Sequence, residues 1–97
     1  MAKGYWIVRG SGVKDQAAQD EYSRMWGSIG KKHEAKIIAG RDRKEPREGP
    51  DYAKTLVIEF PSYEQAQACY DDPDYQASLA HASKAFDRDL VIVEGVG

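Results

Sequence analysis

Thr55-Leu-Val-Ile-Glu-Phe60, followed by Pro61-Ser-Tyr-Glu-Gln65, Ala66-Gln-Ala-Cys-Tyr70 and Asp71-Asp-Pro-Asp-Tyr75, spells strand, stop, helix, stop and helix. Successive strand side chains alternate, so Thr55, Val57 and Glu59 share one face and the wholly apolar set Leu56, Ile58 and Phe60 the other. Pro61 ends the strand. Ser62, with Gln65 three residues on, forms a capping-box pattern, in which the hydroxyl reaches the amide of the third helical residue and the Gln reaches back. A helix therefore starts at Tyr63. It stops at Asp72, because Pro73 disfavours helical geometry at the residue before it and has no amide proton. Asp72 is also a good N-cap, and Pro73 suits a first helical position, so a second helix begins where the first breaks. Tyr75, Leu79, Ala82 and Phe86 then recur at helical spacing.

Outward from this centre, Tyr5-Trp-Ile-Val-Arg9 reads as a strand between Gly4 and Gly10, with Tyr5, Ile7 and Arg9 opposite Trp6 and Val8. From about Asp15 to Lys31, Ala18, Tyr22, Met25, Trp26 and Ile29 form one apolar helical stripe. Gly27, beside Trp26, offers close packing on the sheet, and Gly30 marks the fraying end. Ala35 to Arg41 is a second strand, and Leu90-Val-Ile-Val-Glu94 is the last, with Leu90, Ile92 and Glu94 opposite Val91 and Val93. Between the second and third strands, Asp42 to Asp51 is charged, contains two prolines and exceeds ordinary hairpin length. It reads as a solvated loop or, alternatively, as a lid or dimer arm.

The 97 residues accommodate one domain, 1–97, and the formal net charge of −2 lacks the cationic excess of a nucleic-acid footprint. The lone cysteine, Cys69, cannot form an internal disulfide and reads as a small buried hydrophobe. No stretch approaches the roughly 20 apolar residues of a membrane span, and the N-terminal apolar run is too short for a signal peptide. The expected setting is the cytoplasm, without membrane or nucleic-acid partners.

Strand, helix, strand, strand, helix, strand is the ferredoxin-like βαββαβ pattern, an α+β fold with an antiparallel four-stranded sheet ordered 4-1-3-2. Helices are expected over Trp6, Val8, Leu56, Ile58, Phe60, Val91 and Val93. The opposite face would carry Tyr5, Ile7, Ile37, Val57, Leu90 and Ile92, an apolar patch of several hundred Å², at or above what a soluble monomer leaves bare. A second copy related by a two-fold axis is the simplest cover. The expected dimer interface is Ile7, Ile37, Val57, Leu90 and Ile92.

Gly4-Tyr-Trp-Ile-Val8, Val57-Ile-Glu-Phe-Pro-Ser62, Cys69-Tyr-Asp-Asp-Pro-Asp-Tyr75 and Leu90-Val-Ile-Val-Glu-Gly95 resemble the signature blocks of the DUF1330 family, part of the dimeric α+β barrel superfamily. The resemblance implies two such sheets meeting face to face and no assigned activity. The chain departs from it after the second strand, where Ala39-Gly40-Arg41 stands in place of a frequent Arg-Gly-Gly. The wider superfamily includes cofactor-free monooxygenases and isomerases. The expectation is accordingly a homodimeric small-molecule-binding domain, or alternatively a cofactor-independent enzyme of that type.

Strand direction places Arg9, Arg41 and Arg88 at one end of the open face, where they could fork onto a small anionic ligand. Glu59 and Glu94, with Tyr5, gather about 13 Å away as candidate acid and base. These charges could equally pair across the two-fold axis. A second candidate pocket lies between sheet and helices, where Trp6, Tyr22, Trp26, Tyr70 and Tyr75 converge; Tyr22 and Trp26 are its ligand-binding candidates, Tyr70 and Tyr75 its catalytic ones. The imidazoles His33 and His81 read as helix-end or surface residues. No metal-ligand spacing, phosphate loop or nucleophile elbow is present, so no cofactor is expected. RNA binding is not expected either, since the open face of the third strand offers only Thr55, Val57 and Glu59.

Overall fold

The computed structural model describes residues 2–40 and 43–97. Strands β1 (Gly4–Gly10), β2 (Lys36–Ala39), β3 (Lys54–Phe60) and β4 (Arg88–Glu94) form one sheet in the order β2-β3-β1-β4, and every pairing is antiparallel. Helices α1 (Gln16–Lys32), α2 (Tyr63–Asp71) and α3 (Pro73–Ala85) cover one face. This is the expected ferredoxin-like topology, with the last helical segment broken in two at Pro73.

The local signals act as read, with three differences. Asp15 caps α1 by accepting from the Ala18 amide at 3.0 Å, and Ser62 caps α2 by accepting from the Gln65 amide at 3.0 Å. The Gln65 side chain, however, does not reach back to its own cap; its Nε2 lies 2.8 Å from His33 Nδ1. Gly30 is the glycine that lets Trp26 pack, since a Cβ there would meet the indole at 3.1 Å, whereas Gly27 faces open space. Nor does α1 fray at Gly30. It runs on to Lys32 and closes in a Schellman turn, with Ala35 N donating to Gly30 O and Glu34 N to Lys31 O, so Glu34 adopts a left-handed φ of 58°.

The core is aromatic and centres on Trp6. Its ring lies 5.1 Å from those of Phe60 and Tyr75, 5.5 Å from Trp26 and 5.8 Å from Tyr70, mostly in the tilted or edge geometries that suit ring quadrupoles. Trp6 Nε1 donates to the Ala66 carbonyl at 2.9 Å, so the one polar atom of the indole is satisfied. Val8, Ile29, Ile58, Ala66 and Cys69 close the layer. Burial pushes the Cys69 thiol up to about 12, with Asp72 nearby adding to the shift, so it remains a protonated core group.

A second, polar knot ties the three helices together. His33, the C-cap of α1, is buried, with Nε2 2.7 Å from Asp72 Oδ2 and Nδ1 facing Gln65 of α2. Asp72 is the N-cap of α3, accepting from Asp74 N at 2.8 Å, and Lys32 Nζ approaches the same carboxylate at 2.7 Å. Hydrogen bonds from Lys32, then His33, then the Asp74 amide hold Asp72 well below the usual carboxylate range. Its folded pKa is therefore depressed, and the stabilisation is present above the ordinary value of 3.8 and lost as pH falls below it. Asp72→Asn keeps the N-cap acceptor but removes the charge. We expect it to lower the melting temperature at pH 7, with the gap to wild type narrowing as pH drops through 3.8 in a thermal-melt series. A pH-independent gap would assign the loss to packing.

The register of the outer strands departs from expectation. Val8 pairs with Leu90, Trp6 with Ile92 and Gly4 with Glu94, so the even-numbered residues of β4 face the helices. Leu90 and Ile92 pack on the core, and Val91 and Val93 take the open face. Ile37 pairs with Ile58 and also lies on the helix side, with a bulge between Ile37 and Ala39. Leu90-Val-Ile-Val93 and Ile37-Ile38 carry no polar alternation, so nothing local sets which side chain points inward. The open face is therefore Tyr5, Ile7, Val57, Val91 and Val93. It is still apolar, and Val91 is 52% exposed.

Candidate functional site

Between α1 and the sheet lies a half-open cavity of about 180 Å³. Trp6, Val8, Ile58 and Leu56 form its floor, and Tyr22 and Trp26 of α1 its roof. Ile37 and Phe86 close the sides. The volume exceeds the 150 Å³ or so of an apolar cavity that holds benzene. Gly10 lines it as well, since the absence of a side chain there leaves room for Arg88, its partner on β4.

Arg88 gives the cavity its charge. Because Arg88 pairs with Gly10, its side chain faces the helices and not the open face, where strand direction had placed it. Its guanidinium donates from Nη2 to Tyr75 Oη at 2.8 Å and from Nη1 to Tyr22 Oη at 3.3 Å, and those two hydroxyls are 3.0 Å apart. The guanidinium carbon sits 5.1 Å from the Tyr22 ring centre, within cation–π range. Among the described residues no carboxylate lies within 4.0 Å of it. Tyr75 is fully buried, and burial, then the Tyr22 oxygen, hold its phenol above the ordinary range, so it stays protonated. Lys54 adds a second cation at the cavity wall, and no Asp or Glu among the described residues lines it.

The other expected clusters do not assemble within the chain. Arg9 is on the open face, where its guanidinium lies 4.1 Å over the Tyr52 ring and donates to the Pro50 carbonyl at 3.3 Å. Tyr52 in turn donates to Asp89 at 3.1 Å, so the end of the long connection is strapped to β1 and β4. Arg9 and Arg88 thus stand on opposite faces, and Arg41 lies outside the described residues. Tyr5 and Glu59 are cross-strand neighbours on the open face, with Lys3 3.9 Å from Glu59, but Glu94 turns to the helix side. Tyr70 is half-buried against Trp6 and Tyr75, away from the cavity lining. His81 is half-buried on α3.

Sequence reasoning brought Trp6, Tyr22 and Trp26 to the cleft correctly and missed Lys54, Phe86 and the inward turn of Arg88. Placing Arg88 requires the β1–β4 register. A signal was present in Gly10, the residue without a side chain at which a long neighbour can fold inward. Among the described residues no cluster of three or more His, Cys, Asp and Glu side chains is placed to hold a metal, and no helix is long and apolar enough to cross a membrane.

The fold is similar to that of a protein of unknown function from Rhodopseudomonas palustris, 16% identical with a TM-score of 0.75, over 99% of this chain and 84% of that one. It is also similar to a dimeric ferredoxin-like protein of unknown function from Thermobifida fusca, 14% identical with a TM-score of 0.60, over 95% and 90% of the two chains. SnoaB, a cofactor-independent oxygenase from Streptomyces nogalater, shares the fold at 7% identity and a TM-score of 0.63, over 96% and 92%. No curated protein matches the chain. The blocks quoted above lie within residues 3–96, which match the profile of the domain of unknown function DUF1330, and the chain belongs to that family.

Proposed function

We propose that the protein is a homodimer that binds a small anionic or aromatic ligand in the cleft beneath α1. The carrying observation is the cavity of about 180 Å³, whose described walls are aromatic and aliphatic and bear two cations without a carboxylate. In a chain of net charge −2, that local excess favours a negatively charged guest. The dimer rests on the bare face of Tyr5, Ile7, Val57, Val91 and Val93 and on the dimeric state of the Thermobifida fusca neighbour. Of the interface residues read from sequence, Ile7 and Val57 belong to this surface, whereas Ile37, Leu90 and Ile92 do not.

A cofactor-independent enzyme is the second reading. It is favoured by the phenol and guanidinium hydrogens at the cavity, which could stabilise a developing oxyanion, and by the fold shared with SnoaB. The described lining offers no carboxylate or imidazole as a base, which favours binding over turnover. A thermal-shift screen of small acids and aromatics tests the site. A ligand at 100 times its Kd adds about 2.7 kcal/mol, a rise of roughly 10 °C or more for a domain of this size. Ser23→Trp, at the exposed cavity mouth, should abolish the shift by plugging the entrance. If no compound raises the melting temperature, or if Ser23→Trp leaves every shift intact, the cleft is not the site.

A further inference from the structure

We propose that the ligand is a single-ring aromatic carboxylate, with its carboxylate forked onto Arg88 and accepting the Tyr22 hydroxyl hydrogen. This rests on the cleft being a binding site and goes beyond it by fixing both halves of the guest. Size sets the first half. A cavity of about 180 Å³ with an indole and a phenol for a roof accommodates one six-membered ring, and a second fused ring would have to project through the mouth.

Hydrogen accounting sets the second half. Arginine carries five N–H donors and no acceptor, and Arg88 gives one to each phenol, so three remain. The two phenols share one 3.0 Å gap but own two hydrogens, which leaves one over. Tyr75 is fully buried and off the cavity wall, so it donates to Tyr22, and the surplus hydrogen is that of Tyr22, which lines the cavity. Two of the neighbouring polar side chains are already engaged, while Lys54 and the Ser23 hydroxyl hydrogen add further donors. Gln19 donates to Ser23 and accepts from Gln16, and Ser11 donates to the Gly12 carbonyl and accepts from the Asp87 amide. The groups left open are donors around an otherwise apolar slot. A carboxylate, with two oxygens and several lone pairs, accepts a guanidinium fork and a phenol together, whereas an alcohol or amide accepts at one oxygen only.

Benzoate is the probe, followed by calorimetry and by tryptophan fluorescence, with benzamide, benzyl alcohol and acetate as controls. Benzoate is expected to bind at least tenfold more tightly than each control, since each lacks the charge or the ring. Arg88→Met should weaken benzoate at least tenfold, and Tyr22→Phe should weaken benzoate several-fold and benzamide by less. Arg88→Lys retains the charge and loses the fork, so a folded Arg88→Lys protein with weakened benzoate binding keeps the test valid if the Met variant does not fold. Benzamide binding as tightly as benzoate, with both lost in Ser23→Trp, would overturn the carboxylate assignment while leaving the cleft as the site. Benzoate affinity unchanged in Arg88→Lys and Tyr22→Phe would overturn it too. Failure of every probe, together with an empty thermal-shift screen, would remove the cleft reading itself.

Discussion

Trp6→Ala is expected to destabilise the protein by about 3–5 kcal/mol, the range for truncating a large buried aromatic. Trp6 is 1% exposed and touches four other rings, and its indole nitrogen satisfies the Ala66 carbonyl of α2. The substitution therefore opens a cavity and removes the side-chain hydrogen bond to the α2 backbone in one step. A domain of this size holds roughly 5–15 kcal/mol in all, so the variant should sit near its unfolding transition at 37 °C. Urea denaturation at fixed chain concentration measures it, because the apparent stability of the proposed dimer would depend on concentration. Trp6→Phe should fall between the two, retaining most of the apolar contact while losing the indole hydrogen bond to Ala66. A loss below about 1 kcal/mol for the alanine variant would mean that the core repacks around the site, contrary to the central role given to this ring.

Val57→Asp is expected to dissociate the proposed dimer while leaving the subunit folded. Val57 is on the bare face, opposite Ile7 on β1, and in the dimer an aspartate there would be desolvated without a partner. A penalty of about 3 kcal/mol or more per buried charge raises the dimer Kd by at least a hundredfold. Ser23→Asp, exposed on α1, should change neither assembly nor fold. The β4 register sharpens the experiment: Val91→Asp should behave like Val57→Asp, whereas Ile92→Asp, one residue on, points into the core and should damage folding itself. Sedimentation separates the cases. A wild-type protein that is monomeric at micromolar concentration, or a Val57→Asp variant that remains dimeric, would remove this interface.

The broken helical segment shows how far local chemistry reaches. Ser62, Pro61, Asp72 and Pro73 act through their own backbone and nearest amides, and each starts or stops an element where the sequence places it. The first strand and its helix were legible for the same reason: alternation in Trp6 and Val8 and the stripe through Tyr22, Trp26 and Ile29 are periodicities inside one segment. These elements bring the aromatic half of the cleft together, so that half is legible in the sequence. The connection after Gly40 was legible only as a charged loop, since its anchoring by Tyr52 depends on Arg9 and Asp89, far away in sequence.

What the sequence determined by itself is therefore the set of elements, their order and the sheet topology, because caps, prolines and side-chain periods are short-range effects with few competing solutions. Only the tertiary structure decided which way β4 and Ile37 face, and with them the exchange of Leu90 and Ile92 for Val91 and Val93 on the open face. The same step turned Arg88 away from Arg9 and into the cleft beside Tyr22 and Tyr75. A run of consecutive apolar residues can present either parity at nearly equal local energy, and a one-residue slip exchanges every side chain between faces. The choice falls to the ladder against β1, where Gly10 leaves space for a guanidinium and Val8 and Trp6 already define which side is the core.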